Sequence, residues 1–147
     1  YMAFIELLEA KQISKLPKIF VVQPKNCCPI VACWRDGMGA LESLTFTKTI
    51  AEGTAIKKPI RLTKILDILK KTNGGGLAVT EEEILKATLD LSKNGFFVEP
   101  TCASAAVGLG KLRAKNLIGS NETTVVVLTG SGLKSSDFFT KNVELKL

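Results

Sequence analysis

The apolar and polar positions divide the chain into two kinds of segment. Short apolar runs without polar alternation predict strands, because the strands of a parallel sheet are buried on both faces. Four such runs occur, at residues 18–23, 77–79, 96–98 and 123–128. Segments with an apolar residue every three or four positions lie between them and predict helices. This alternation predicts an α/β fold with a parallel sheet and right-handed crossovers.

Two helices are predicted in the first quarter of the chain. Residues 1–10 carry an apolar face with no residue ahead of it that could cap the helix, so we expect the chain to be a piece of a longer polypeptide. Asn26 is a candidate cap for a second helix, which Gly37 ends. Residues 41–59 are less periodic and predict a loop or short strand broken by Gly53, of a length that is usually functional.

Three further helices are predicted. Residues 61–72 have an apolar face with lysines opposite. Thr80 and Glu83 match a capping box in front of an apolar stripe. The run of small residues after Pro100 predicts a helix that lies close to the sheet or brings its N-terminus close to a ligand. Glu99 stands at the start of that helix, where a carboxylate is either a cap or a site residue.

The segment TTVVVLTGSGLK, residues 123–134, combines an apolar run with a glycine turn. Gly130 and Gly132 can take a positive φ or let a ligand approach the main chain, and ligands usually bind at the carboxyl edge of an open α/β sheet. Thr129 and Ser131 place hydroxyl groups at that edge. The alternative interpretation of the same residues is a plain strand followed by a tight turn.

Composition narrows the classes of function. The 147 residues suit one domain with a substantial core. No apolar run approaches the roughly 20 residues that span a bilayer, and the N-terminus lacks a signal-peptide pattern, so we expect a cytoplasmic protein with no membrane partner. The net charge is +6, but the lysines are scattered over helix faces without interleaved aromatic residues, which argues against a nucleic-acid partner.

Cysteine and histidine usage argue against two kinds of site. The four cysteines have no paired CxxC spacing, so we expect reduced, mostly buried thiols and no metal site. They are Cys27, Cys28, Cys33 and Cys102. Histidine does not occur, which excludes Ser-His and Cys-His arrangements and the commonest general base.

Short motifs in a fixed order carry a family resemblance over nearly the whole chain. They are LPKI (16–19), Gln23, PIV (29–31), TIAEG (49–53), GGG (74–76), TEEEI (80–84), FVEPT (97–101) and LTGSGLK (128–134). In this order and at these intervals the motifs resemble the threonine synthases, which are pyridoxal-phosphate enzymes of the tryptophan-synthase β-like, fold type II family. The form TGSGLK favours threonine synthases over dehydratases of the same family, which usually have a serine-glycine-glycine variant.

The resemblance implies a three-layer α/β/α fold and covers only the C-terminal portion of a family protein. Residues 1–147 are accordingly expected to form a single α/β domain of a longer chain. The family's N-terminal half holds the Schiff-base lysine and the loop that binds the cofactor phosphate, and neither motif is present here. No catalytic residue is therefore assigned to this chain, and the fragment alone is expected to be inactive.

The resemblance also implies the residues that contact pyridoxal phosphate. It places Thr129, followed by Gly130, beside the pyridine nitrogen, Glu99 close to the same ring edge, and Ala51, Glu52 and Gly53 against the ring face. A neutral hydroxyl such as that of Thr129 supplies no counter-charge to a pyridinium, so the nitrogen should be largely unprotonated. Such a cofactor suits the conversion of O-phosphohomoserine and water to threonine and phosphate.

Two alternatives stay open at this point. One is a paralogous enzyme of the family, such as a threonine dehydratase or a cysteate synthase. The other is a free-standing, non-catalytic module that binds a partner through the face that an N-terminal domain would cover. The resemblance itself implies the missing N-terminal half and a second copy, in a homodimer, as partners.

Overall fold

The computed structural model describes residues 1–143, which form nine regular helices and strands and three short 3₁₀ turns. The helices are α1 (Met2–Glu9), α2 (Pro29–Asp36), α3 (Ala40–Ser43), α4 (Leu62–Lys71), α5 (Glu81–Lys93), α6 (Pro100–Ala114) and α7 (Ser136–Asn142). The strands are β1 (Phe20–Pro24) and β2 (Gly75–Val79). The 3₁₀ turns are Lys25–Cys27, Glu52–Thr54 and Gly132–Ser135.

The two strands pair in parallel, in a register that sets Phe20 opposite Gly75 and Pro24 opposite Val79. A parallel pair needs a long crossover connection, and the chain between β1 and β2 supplies it with α2, α3 and α4. The carboxyl ends of both strands therefore meet at one edge of the sheet, where the loops to α2 and α5 begin.

Helices cover both faces of the sheet at close range. A Cβ added to Gly76 would lie 3.3 Å from the side chain of Val31 on α2. A Cβ added to Gly108 on α6 would fall inside van der Waals contact of Val22. Val22 pairs with Leu77, so it points to the opposite face from Gly76. The predicted α/β fold with three layers is confirmed, and the small residues of β2 and α6 allow the close packing.

Two apolar clusters lie on the α6 side of the sheet. The first joins Val79 to Ala51 and Ile84, which are all completely buried. The second joins Leu77 to Leu112 and Ile118. Burying one side chain of this size contributes roughly 1.5–3 kcal/mol, so these clusters fix α5 and α6 against the sheet.

The predicted helices are confirmed, and the capping box before α5 is present. Thr80 N–H donates to Glu83 Oε2 at 2.8 Å, and Glu83 N–H donates to Thr80 Oγ1 at 3.3 Å.

The prediction that Asn26 caps α2 is wrong. Gln23 takes that role from the end of β1, because its Oε1 accepts the first free backbone N–H groups of α2, those of Ile30 and Val31, at 2.9 and 3.1 Å.

Two of the four predicted strands do not form. Residues 123–128 have no regular structure and are not buried on both faces, since Val125 is 82% exposed and Val127 is 65% exposed. Of residues 96–98 only Val98 pairs, through a single antiparallel bridge to Ser131. An apolar run becomes a strand only when a neighbour pairs with its backbone, and the described residues provide no such neighbour here. None of the described helices has the length of apolar chain that a bilayer span requires.

Candidate functional site

The N-terminus of α6 is the point where the predicted site residues meet. Glu99 occupies the N-cap position, but its side chain makes no capping hydrogen bond. Its backbone N–H donates to the carbonyl of Gly130 at 3.2 Å. The carboxylate is therefore not a satisfied cap, which was the alternative role for a residue in this position.

Gly130 lies tightly between Glu99 and Cys102. Its backbone N–H donates to Cys102 Sγ at 2.8 Å, and a Cβ at this position would fall inside van der Waals contact of Glu99 Oε1. Cys102 itself is 3% exposed. Position 130 therefore requires glycine because a side chain would collide with Glu99. The φ angle of Gly130 is not in the left-handed region, so backbone conformation is not the reason.

The hydroxyl of Thr129 lies at the same place. Its Oγ1 is 3.5 Å from Cys102 Sγ, within reach of a weak hydrogen bond to sulfur, and the residue as a whole is exposed. Glu99 Oε1 is 4.0 Å from the same sulfur. A hydroxyl, a thiol and a carboxylate therefore converge on the first turn of α6.

The TIAEG segment reaches this turn from the other side. The backbone N–H of Gly53 donates to Thr101 Oγ1 at 3.1 Å, and Thr101 is the second residue of α6. Ala51 is completely buried, whereas the side chain of Glu52 is exposed and points away from the core. The structure brings the backbone of this loop to the α6 N-terminus, and the Glu52 carboxylate forms no hydrogen bond within residues 1–143.

Three residues at the site carry no role in the sequence prediction. Thr101 and Cys102 hold the two loops through the contacts described above. Glu81, the first residue of α5, accepts a hydrogen bond from the backbone N–H of Ile50 at 2.7 Å. The spacing of Glu99 and Cys102, three positions apart at a helix start, is the sequence signal that could have placed the thiol beside the carboxylate.

The donor set fits one edge and one face of a heteroaromatic ring. A neutral hydroxyl that is exposed at the turn can meet a ring nitrogen, and the close packing at Gly130 brings the main chain to the same edge. The N-terminus of α6, a helix of 15 residues, adds partial positive charge there. Of the TIAEG loop, Glu52 and Gly53 are exposed and can face such a ring, whereas Ala51 is completely buried against Val79 and Ile84 and supports them from below.

The four cysteines are free, and Cys27, Cys33 and Cys102 are buried, as predicted from sequence. Burial raises the pKa of the Cys27 and Cys33 thiols above the ordinary value. In the part of the chain that the structure describes, no three His, Cys, Asp or Glu side chains are grouped so that they could hold a metal ion.

A cleft of about 400 Å³ lies elsewhere, at the amino ends of the two strands. Its lining includes Phe20 at the start of β1, Gly75 at the start of β2, and Leu117 beyond the end of α6. Ligands of parallel α/β sheets bind outside the carboxyl ends of the strands, so this cleft is at the opposite end from the predicted site.

Comparison with known proteins places the chain in a family. A family profile described as pyridoxal-phosphate dependent enzyme matches residues 1–130. A threonine synthase of Methanosarcina acetivorans is 36% identical over 91% of this chain and 33% of its own length. A threonine synthase of Methanocaldococcus jannaschii is 37% identical over 85% of this chain and 31% of its own length. Threonine synthase 2, chloroplastic, of Arabidopsis thaliana is 31% identical over 98% of this chain and 29% of its own length.

The matched region is nearly the whole chain in each case, which agrees with the order of motifs along it. The chain spans about a third of the length of these curated relatives. On the family match and the fold together, the chain belongs to the pyridoxal-phosphate dependent enzymes and is similar to the threonine synthases among them.

Proposed function

We propose that this chain is the C-terminal part of a threonine synthase and forms the ring-nitrogen side of its pyridoxal-phosphate site. The observation that carries the proposal is the convergence of Thr129, Gly130 and Glu99 with the Ala51–Gly53 loop on the first turn of α6. The reaction is the conversion of O-phosphohomoserine and water to threonine and phosphate. The names of the similar proteins support this substrate over others of the family.

In this proposal the residues of the chain bind and orient the ring. Pyridoxal phosphate supplies an electron sink, and the protein tunes it through the group that faces the ring nitrogen. The Thr129 hydroxyl donates a hydrogen bond to an unprotonated nitrogen and brings no charge to it. Gly130 keeps the main chain close to the ring edge that Glu99 flanks. The exposed part of the 51–53 loop, Glu52 and Gly53, would lie against one ring face, with the buried Ala51 holding the loop to the core.

The remaining parts of the site belong to the portion of the relatives that this chain does not span. That portion would supply the lysine that binds the cofactor covalently and the loop that binds its phosphate. No lysine of this chain is assigned to that role. The same proposal includes a cytoplasmic location and a homodimer, and it expects this chain alone to be inactive.

Trapping of the cofactor lysine tests the proposal. Pyridoxal phosphate is added to this chain at a stoichiometric amount, the mixture is reduced with borohydride, and modified lysines are mapped by mass spectrometry. We expect no single lysine of the chain to be modified specifically. When the chain is expressed with its own upstream coding sequence, the modified lysine should lie upstream. A specific adduct at one site in residues 1–143 would overturn the assignment.

The product distinguishes threonine synthase from its paralogues. The upstream-extended protein, supplied with O-phosphohomoserine, should release phosphate and threonine in equal amounts. A threonine dehydratase would instead consume threonine and form a 2-oxo acid. Loss of threonine with formation of a 2-oxo acid would therefore assign the chain to the dehydratases.

A further inference from the structure

The half-buried side chain of Glu81 holds one backbone amide of a distant loop. Its Oε2 accepts the backbone N–H of Ile50 at 2.7 Å, from 31 positions away in the chain. Its other oxygen, Oε1, is buried and has no hydrogen-bond partner within residues 1–143. Among the described residues, the Ile50 amide is thus the one hydrogen-bond partner of this side chain.

The helix N-terminus does not by itself explain this arrangement. Glu81, Glu82 and Glu83 all lie in the first turn of α5, where any carboxylate interacts favourably with the helix dipole. Glu82 does so while exposed, and Glu83 completes the capping box. Burying a carboxylate oxygen without a donor costs stability, so the dipole alone would favour an exposed Glu81. The contact with the loop is what distinguishes Glu81 from its neighbours.

The loop is held at its other end by α6. Gly53 N–H donates to Thr101 Oγ1 at 3.1 Å, in the same turn of α6 that carries Cys102. Between the two attachments, Ala51 is completely buried and its N–H donates to Thr49 Oγ1 at 3.1 Å. The loop therefore bridges the N-termini of α5 and α6, two helices that pack against each other.

We propose that Glu81 is a positioning residue that fixes the Ala51–Gly53 loop beside the N-terminus of α6. The loop contact stands on the geometry of this chain alone, and its consequence for a cofactor rests on the proposed function. With the carboxylate in place, the loop is held at Ile50 and at Gly53, so that its exposed residues Glu52 and Gly53 keep one position beside the N-terminus of α6. Without it, Ile50 loses its hydrogen bond to α5, and the nearest hydrogen bonds from the preceding residues to the fold are those that join Asn26 to Thr47 and Lys48.

Amide hydrogen exchange on this chain tests the contact without any cofactor. In Glu81→Ala the amides of Ile50 and Ala51 should exchange at least roughly tenfold faster, as expected for the loss of a hydrogen bond to a charged group. The matched control is Glu82→Ala, which removes an equal charge from the same helix turn and should leave both amides unchanged. Glu81→Gln keeps an acceptor oxygen and should restore most of the protection. Amides within α5 report whether each variant is folded.

A second arm measures pyridoxal-phosphate affinity in the upstream-extended protein. Glu81→Ala should weaken binding several-fold, while Glu82→Ala should not. Unchanged exchange at Ile50 and Ala51 in Glu81→Ala would overturn the positioning role, whatever the affinity. Faster exchange together with unchanged pyridoxal-phosphate affinity would also overturn the positioning role, because the loop would then be released without any effect on cofactor binding. Failure of the unsubstituted protein to bind pyridoxal phosphate would contradict the proposed function, and the exchange result would still decide the loop contact.

Discussion

The backbone N–H of Gly130 donates a 2.8 Å hydrogen bond to the Sγ atom of Cys102, 28 positions earlier in the chain. The same sulfur lies 3.5 Å from Thr129 Oγ1. Because Cys102 is in the first turn of α6, this hydrogen bond attaches the turn at Thr129 and Gly130 to a helix N-terminus and not to a sheet. The hydroxyl of Thr129 takes its position from that attachment.

Replacing Thr129 by valine should affect the cofactor and spare the fold. Thr129 is exposed and valine keeps the β-branched shape, so the thermal unfolding of this chain should be almost unchanged. In the upstream-extended protein, loss of one neutral hydrogen bond should weaken pyridoxal-phosphate binding by roughly 0.5–1.5 kcal/mol. Fluorescence titration of the cofactor measures this change. Equal affinity in Thr129→Val and in the unsubstituted protein would mean that the hydroxyl does not face the ring.

Thr129→Asp should change the chemistry and not only the affinity. A carboxylate facing the ring nitrogen favours its protonation and makes the cofactor a stronger electron sink. The ratio of threonine to side products should therefore shift in the upstream-extended protein. Product analysis at equal cofactor occupancy measures the ratio. An unchanged ratio would place the residue away from the ring nitrogen.

Adding a methyl group at Gly130 should destabilise the chain. A Cβ there overlaps Glu99 Oε1, so Glu99 and the turn must move apart, with an expected cost of about 1–3 kcal/mol in the free energy of unfolding. Gly110 on α6 is the matched control, because a Cβ at that position meets nothing within 4 Å. Gly110→Ala should stabilise the chain by roughly 0.5–1 kcal/mol, as alanine usually does within a helix. Similar unfolding free energies for the two variants would contradict the close packing at Gly130.

Local signals in the sequence were sufficient to predict the helices. The capping box of Thr80 and Glu83 needs only neighbours three positions apart, so it can be predicted and it is observed. The apolar face of residues 61–72 likewise specifies α4 without reference to the rest of the fold. The role of Gln23 at the start of α2 depends on how β1 ends, which no local pattern gives.

The sequence of residues 123–128 was not sufficient to decide whether this segment forms a strand. Its apolar character predicts burial, but strand formation depends on a partner for the backbone, and residues 1–143 contain none for it. The contacts of Cys102 and Glu81 escaped prediction for a related reason. Both join a helix to a loop about 30 positions away in the chain, and such pairs follow from the tertiary fold rather than from local spacing.

The exposed valines of this segment should cause self-association. Val125 and Val127 are 82% and 65% exposed, and adjacent apolar side chains on a surface promote association. The double variant Val125→Thr, Val127→Thr keeps the side-chain shape and should lower the apparent mass of the chain in sedimentation experiments, together with its dye binding. Ile60→Thr, at an exposed site in another part of the chain, serves as the control. If the parent chain sediments as a monomer and binds no dye, this segment is not an association surface.

The ion pair between Glu83 and Lys111 should make stability depend on pH. Glu83 Oε2 lies 2.7 Å from Lys111 Nζ. Partial burial acts to raise the pKa of the Glu83 carboxyl, but the hydrogen bonds from Lys111 and from the Thr80 backbone, with nearby positive charge, leave this pKa below the ordinary value of 4.5. A lower pKa in the folded state means that ionised Glu83 favours folding. This stabilisation is complete above the unfolded-state pKa and is lost as the pH falls through the folded-state pKa.

Unfolding experiments across this pH range check the prediction. The difference in unfolding free energy between the parent chain and Glu83→Gln should be largest near neutral pH and should shrink in acid. In a Lys111→Met background the same difference should be smaller near neutral pH. A difference that stays constant from neutral to acid pH would contradict the direction of the Glu83 pKa change.

We propose that this chain contributes the ring-nitrogen side of a threonine synthase site and that another portion of the protein supplies the rest. The most direct test is threonine formation from O-phosphohomoserine, measured for this chain, for the chain expressed with its own upstream coding sequence, and for that longer protein carrying Thr129→Asp. We expect no threonine from the chain alone. The longer protein should form threonine only when pyridoxal phosphate is present, and its Thr129→Asp variant should give an altered product ratio. Turnover by the chain alone, or a longer protein that binds pyridoxal phosphate but forms no threonine, would contradict this proposal.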